Sequence, residues 1–454
     1  MALPQIHQDS LKTTFTGTSQ SDNGTTVHSF RGIQYATIPA RFERSQPIQK
    51  FNEAAVDATR YGPRCPQMKI DVRHLLRIPE DVEIPEEEED EFKCLNLEIT
   101  CPPLDQTKGP FPVLIWIHGG SQVVTFCSAA SGICDPTKLV ADSIKYQKPV
   151  VFVSINYRLN IFAFGDGKEK NLALKDQRLG IEWVRKNISS FGGDPNNITL
   201  AESKVQELGQ PSLREATVPV LIQALGECNV NSMFLQEDSE LQDWESRPEH
   251  VEELMIGDTE YESVIWRNGV ETHDASTINA AFEQNSEWGP QLRKMYQVVP
   301  TRPTASKLGA LDIINDALYA MPVEVISEKL QANQKTVYKY VVDQHNPWQL
   351  SSRSHHAVDL LFLFGTMDFS HNPGAEGVGQ DMRRRWVSFV NGDAPWSEQK
   401  RYAYGPFGVC GEIDEGQFAG RRRTRHIRAL REAGKEAFLP IVFALAAGKI
   451  SLLN

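Results

Sequence analysis

The chain has 454 residues, 40% hydrophobic and 23% charged. That is enough apolar material for a large core, which excludes global disorder and a small disulfide-stapled scaffold. Its 59 acidic against 47 basic side chains give a formal charge of −12, and an acidic chain repels phosphate backbones, so no nucleic-acid partner is expected. The excess is local: nine carboxylates and no Lys or Arg lie between Glu80 and Glu91.

From the amino end, Met1 to Asp9 lack the basic and apolar regions of a secretory leader. Val27 to Tyr35 is predicted to be a strand, Pro39 to Pro47 a loop with a basic and aromatic centre, and Glu80 to Glu91 a solvated loop. Phe111-Pro-Val-Leu-Ile-Trp-Ile-His and Pro149-Val-Val-Phe-Val-Ser-Ile-Asn are unbroken apolar runs, the pattern of strands buried on both faces. Between Ala173 and Phe191 the residues Leu174, Leu179, Ile181, Trp183, Val184 and Ile188 recur at helical spacing. Gly192-Gly193-Asp194-Pro195 stops that helix, and Ile198-Thr-Leu begins another strand. Strand, crossover helix, strand is a βαβ unit, so an α/β fold with a mostly parallel central sheet flanked by helices follows. Between Lys204 and Glu253 only weak elements show, Val218 to Leu225 and Met233 to Gln236. The late apolar run Phe438 to Ala447 is too short to span a bilayer and contains Pro440, so a buried terminal helix is expected rather than a membrane span. No repeat or linker divides the chain, and residues 1–454 are expected to form a single domain.

Seven cysteines (Cys65, Cys94, Cys101, Cys127, Cys134, Cys228, Cys410) form no CxxC pair and no cluster with zinc spacing. An odd count without a leader predicts reduced thiols in a cytoplasmic setting, with the sequons at Asn23, Asn187 and Asn197 unmodified. Arg421, Arg422, Arg423, Arg425, Arg428 and Arg431 are expected to form a solvated helix face. Trp386 and Phe389 are assigned to the core.

His118-Gly119-Gly120 directly follows the first buried strand. Glycines there let backbone N–H groups approach a substrate oxygen without a Cβ in the way, as an oxyanion hole requires, although an ordinary strand-to-loop turn has the same composition. The wider sequence bears on this choice. Phe30-Arg-Gly-Ile-Gln-Tyr-Ala, Pro112-Val-Leu-Ile-Trp-Ile-His-Gly-Gly, Ser154-Ile-Asn-Tyr-Arg-Leu-Asn-Ile-Phe, Asn171-Leu-Ala-Leu-Lys-Asp-Gln-Arg-Leu-Gly and Asn187-Ile-Ser-Ser-Phe-Gly-Gly-Asp-Pro-Asn-Asn-Ile-Thr-Leu resemble, in order, the type-B carboxylesterase/lipase family in its fungal form. The resemblance runs from Phe30 to Leu200 and resumes from Leu254 through His356. It implies an α/β-hydrolase fold and ester hydrolysis by a Ser-Glu-His triad. By the same resemblance Gly119 and Gly120 are oxyanion donors, and Ser121 stands where the family often has a third glycine. Cys65 and Cys94 align with a family disulfide that closes a loop beside the active-site gorge; in a cytoplasmic protein the pair is expected to be reduced.

The family's nucleophile sits in a strained Gly-Glu-Ser-Ala-Gly elbow, where flanking glycines avoid side-chain clashes. Here the stretch is Thr199-Leu-Ala-Glu-Ser-Lys-Val-Gln-Glu-Leu. Glu202-Ser203 survives, but Ala201 and the β-branched Val205 replace the glycines. Ser203 to Glu262 is also only 59 residues, shorter than the family stretch that normally holds a helix and a core strand. An internal loss near 204–230 accounts for both departures.

Leu254-Met-Ile-Gly-Asp-Thr-Glu-Tyr-Glu-Ser resembles the strand that delivers the family's acid, five residues after the glycine. That selects Glu262, with Glu260 the near competitor and Ser263 in place of the usual glycine. His355-His356-Ala-Val-Asp resembles the histidine loop, in which an acid follows the base by three; Asp359 therefore selects His356 over His355. His345 and His371 are assigned structural roles. The order Ser203, Glu262, His356 is that of nucleophile, acid and base in α/β hydrolases.

The expectation is a serine carboxylic ester hydrolase acting on a small-molecule ester or lactone through an acyl-enzyme, with no cofactor and no metal. The alternative is a catalytically impaired or non-catalytic family member, favoured by Val205 and the short spacing. An acidic rim at Glu80 to Glu91 would disfavour anionic substrates.

Overall fold

The Val- and Ile-rich runs form the middle of a six-stranded sheet in a computed structural model that describes residues 3–105, 107–202, 218–227 and 251–446. Its strands are β1 (Thr18–Asp22), β2 (Thr25–Gln34), β3 (Asn96–Cys101), β4 (Phe111–Ile117), β5 (Val151–Ile155) and β6 (Gly193–Glu202). In space the order is β6-β4-β5-β3-β2-β1. β4 pairs in parallel with β5 and β6, while the pairs from β5 outward to β1 are antiparallel. A second sheet runs β7 (Glu253–Thr259), β8 (Thr336–Val342), β9 (Arg401–Tyr404), β10 (Cys410–Ile413), parallel except for its last pair.

Period-two alternation divides β4 between two cores. Val113, Ile115 and Ile117 pack with Trp183 and Val184 of the crossover helix α2 (Leu172–Asn187). Leu114 and Trp116 face the opposite way. They join Val140 of α1 (Thr137–Lys145), Leu361 and Phe362 of α5 (Val358–Phe364), and Met382 of α6 (Pro373–Val390). That second core also holds Tyr338 and Val342 of β8, so both sheets contribute to one apolar cluster. The weak element at 218–225 is a helix, α3 (Val218–Glu227). A third, helical core is built around α4 (Pro303–Asn315), α7 (Thr424–Ala433) and α8 (Lys435–Ala446). In α8 the residues Phe438, Ile441, Val442 and Leu445 are buried despite Pro440. No helix among the described residues is long and apolar enough to cross a membrane.

Among the described residues, β6 pairs only with β4 and β7 only with β8, so each sheet ends on an unpaired strand. Leu200 on β6 is 54% exposed, and Leu254, Met255 and Ile256 on β7 are only half-buried. Among the described residues, apolar side chains at these two edges are less covered than those in the middle of the sheets.

Two expectations about charge are corrected. The arginines at 421–423 are not a solvated face. Arg422 is buried and pairs with Asp258 and Asp343, both at 2.8 Å; Arg421 reaches Asp343 at 2.6 Å and Arg423 reaches Asp316 at 2.8 Å. Of this run, Arg425 and Arg428 remain exposed without a described ion pair, and Arg431 pairs with Glu328. The acidic loop is likewise only partly solvated. Glu91 binds Arg41, Glu87 and Glu89 bind Arg64, and Ser128 Oγ donates to Glu87 at 2.7 Å. Glu80, Asp81, Glu83, Glu86 and Glu88 stay exposed. In both cases the neutralising partners lie far away in sequence, where charge runs give no sign of them.

Candidate active site

Ligands of open parallel sheets sit at the carboxyl ends of the strands, and here the ends of β6 and β4 lie side by side in one sheet and those of β7 and β8 in the other. β6 ends at Glu202, paired with Ile117 at the end of β4, so the chain leaves β6 beside His118-Gly119-Gly120. Ser203, Lys204 and Val205 lie outside the described residues. The end of β7 leads into a short 3₁₀ turn, Glu262–Trp266, and the end of β8 leads into the loop carrying His356.

That glycine turn is tightly constrained. Gly120 has φ +112°, and a Cβ there would lie 1.9 Å from the carbonyl oxygen of Val124, so glycine is required. Its own carbonyl accepts from the Val123 and Val124 N–H groups at 2.9 and 3.1 Å. Gly119 pairs with Phe126 across an isolated antiparallel bridge. Ser121 and Gln122 follow with φ near +54° and +55°, a left-handed pair that costs non-glycine residues of order 1–2 kcal/mol each. This is the physical reason the family favours glycine where Ser121 stands. His118 is buried and stacked on Tyr157 with centroids 4.5 Å apart. Burial pushes its pKa down to about 4, so it is neutral.

Two loops bring acid and base together. Tyr261 N–H donates to the Ser354 carbonyl at 2.9 Å, and His356 N–H returns to the Tyr261 carbonyl at 3.2 Å. Within this stitched pair His356 Nδ1 lies 2.6 Å from Glu262 Oε2, and Thr259 N–H donates to Glu262 Oε1 at 2.8 Å. Burial alone would raise the Glu262 pKa, but the hydrogen bond and charge of His356 and the Thr259 N–H outweigh it, and the carboxyl is held below its ordinary value. Burial likewise opposes the imidazolium, yet Glu262 raises the His356 pKa. Among the described residues His356 Nε2 has no partner, and the Tyr319 ring stands edge-on to the imidazole at 6.0 Å.

The competitors point elsewhere. Glu260 is bound by Arg353 at 2.6 and 3.0 Å. His355 is fully buried, its Nε2 accepts from Asn346 Nδ2 at 3.0 Å, and burial lowers its pKa to about 4. Asp359 opens α5, and burial together with the nearby charge of Glu262 raises its pKa to about 6. Cys65 and Cys94 are buried free thiols. Among the described residues no cluster of His, Cys, Asp or Glu is placed to hold a metal ion.

Sequence reasoning missed the framework under the site. Arg158 and Asp176, inside two of the matched motifs, form a buried bidentate pair at 2.7 and 2.8 Å, and Ser45 Oγ hydrogen-bonds both. Their place inside family motifs was the available signal. Arg422 with Asp258 braces the strand that leads to Glu262, and only a structure reveals that contact.

The description "Carboxylesterase family" belongs to a family model that matches residues 7–204 and 223–419. The chain belongs to the carboxylesterase family. Lipase 3 of Yarrowia lipolytica is 26% identical over 443 residues, spanning 83% of this chain and 87% of that protein. Over a shorter stretch of 211 residues, 43% of this chain and 33% of the relative, identity is 34% with the inactive carboxylesterase-like protein VdtD of Byssochlamys spectabilis. A solved structure of a thermophilic PNB esterase superposes with a TM-score of 0.70 at 19% identity, over 94% of this carboxylesterase and all of that chain. The fold of this carboxylesterase is therefore that of the α/β hydrolases.

Proposed function

We propose that this carboxylesterase hydrolyses small-molecule carboxylic esters or lactones through an acyl-enzyme on Ser203, with His356 as general base and Glu262 orienting it. The 2.6 Å contact between His356 Nδ1 and Glu262 Oε2 carries the reading. With the Nδ1 proton committed to Glu262, Nε2 is the basic nitrogen. It takes the Ser203 proton as Oγ attacks the acyl carbon, and the N–H groups of Gly119 and Gly120 receive the charge developing on the carbonyl oxygen. Collapse expels the alcohol, protonated by His356, and water repeats the sequence to release the acid.

The same reading treats residues 1–454 as one domain short of a segment near 204–230, in a cytoplasmic protein. Support for the loss comes from the edges of β6 and β7, unpaired among the described residues, and residues 205–222 lie outside the family match. The described cysteines are free thiols, in keeping with a reducing compartment.

The second reading, an impaired family member, draws on Ala201 and Val205, on those same edges and on the inactive relative. Hydrolysis of p-nitrophenyl butyrate by the folded protein and by Ser203→Ala separates the two. Turnover that disappears in S203A supports the esterase. Folded wild-type protein no faster than S203A would establish the impaired reading instead.

A further inference from the structure

The loops that carry Glu262 and His356 also wall a cavity of about 510 Å³, within the size range of small-molecule sites. Tyr261 and Val264, on either side of Glu262, form one wall, and Gln349, Ser351 and Ser352, ahead of His356, form another; Arg77 and Arg267 complete the lining.

The two arginines are poorly neutralised. Arg77 Nη1 lies 2.8 Å from His74 Nδ1, and among the described residues no carboxylate is within ion-pair range of its guanidinium. Burial and then the positive charge of Arg267 disfavour its charged form, against smaller favourable effects of Asp71 and Tyr261, and both guanidinium-bearing residues line the cavity. Among the described residues Arg267 pairs with Glu271 alone, at 3.8 Å, and that carboxylate is held more closely by Lys307 at 2.9 Å. Arg353 nearby shows the contrast, since Glu260 satisfies it at 2.6 Å. Like charges beside a cavity are stabilised when an anion enters, and guanidinium forks match carboxylate geometry.

We propose that this cavity is an anion subsite that receives the carboxylate of an acidic ester, held by Arg77 and Arg267 with the Ser351 hydroxyl as a further donor. It rests on the esterase reading above, and it reverses the charge preference expected from the acidic loop. Glu87, Glu89 and Glu91 of that loop are already engaged by arginines.

The test compares kcat/KM for matched esters, acetoxyacetate against propyl acetate and monomethyl succinate against methyl pentanoate, in the wild type, Arg77→Gln and Arg267→Gln. Calorimetry with succinate runs in parallel on the same proteins. The wild type should favour the anionic member of at least one pair. Either variant should cut that preference about tenfold and weaken succinate binding by a similar factor. Arg267 is largely exposed, so its variant keeps the test open if R77Q does not fold. Hydrolysis of neutral esters with no anionic preference and no succinate binding would overturn the subsite and leave the esterase standing. Succinate binding that both variants abolish, without turnover of any ester, would uphold the subsite and sink the esterase reading.

Discussion

Replacing Glu262 by Gln isolates the electrostatic core of the site. The amide keeps the shape of the carboxylate but removes the charge facing His356 at 2.6 Å. A hydrogen bond to a charged group contributes about 1.5–3 kcal/mol, and one pKa unit corresponds to about 1.4 kcal/mol. The His356 pKa should therefore fall. Burial, the opposing effect, is then offset by the charge of Asp359 and no longer by Glu262. The sign carries over to stability. A raised histidine contributes fully below its unfolded pKa of 6.5 and loses that contribution as pH rises through the folded value. A lowered glutamate contributes above its unfolded 4.5 and loses this as pH falls through the folded value. The pair stabilises most between pH 4.5 and 6.5, and E262Q should lower stability most in that window. A ¹⁵N NMR titration of the imidazole reads the shift directly, without any need for turnover. A His356 pKa in E262Q equal to or above that of the wild type would refute the reasoning.

Three further outcomes follow from the framework. His355 is buried neutral with a pKa near 4, so the unfolded chain takes up a proton below 6.5 that the folded chain refuses. Stability should drop by up to about 3 kcal/mol as pH falls across that window. His355→Gln should show a shallower acid slope in urea titrations at pH 7 and pH 5, and an unchanged slope would count against the assignment. Arg422→Met strands Asp258 in the interior and leaves Asp343 to Arg421, and should cost about 3–5 kcal/mol; a loss under about 1 kcal/mol by urea unfolding would mean the Asp258 pair is solvated. Gly120→Ala should reduce ester turnover at least tenfold, because its Cβ meets the Val124 carbonyl at a required turn. Gly132→Ala, also at positive φ but with open space around it, should cost only about 1 kcal/mol. Equal effects of the two would remove the packing argument.

The parts of this molecule legible in its sequence are those set by local pattern. Unbroken apolar runs marked β4 and β5 because both faces are covered, and the crossover helix showed in its spacing. Family motifs pointed to Glu262 rather than Glu260 and to His356 rather than His355; in the structure Glu260 is taken by Arg353 and His355 by Asn346. Long-range charge pairing was not legible. Arg422 meets Asp258 across 164 positions, and no periodicity or composition encodes such a contact. The same holds for Arg77 and Arg267, whose shared cavity forms only once two distant loops meet.

The central claim, that Ser203 is the nucleophile of a working triad, is tested most directly by covalent labelling. Folded protein is treated with a fluorophosphonate and its peptides are mapped by mass spectrometry. One phosphonyl adduct on Ser203, lost when His356 is replaced by Gln, is the predicted result. Folded protein that leaves Ser203 unlabelled would contradict the account.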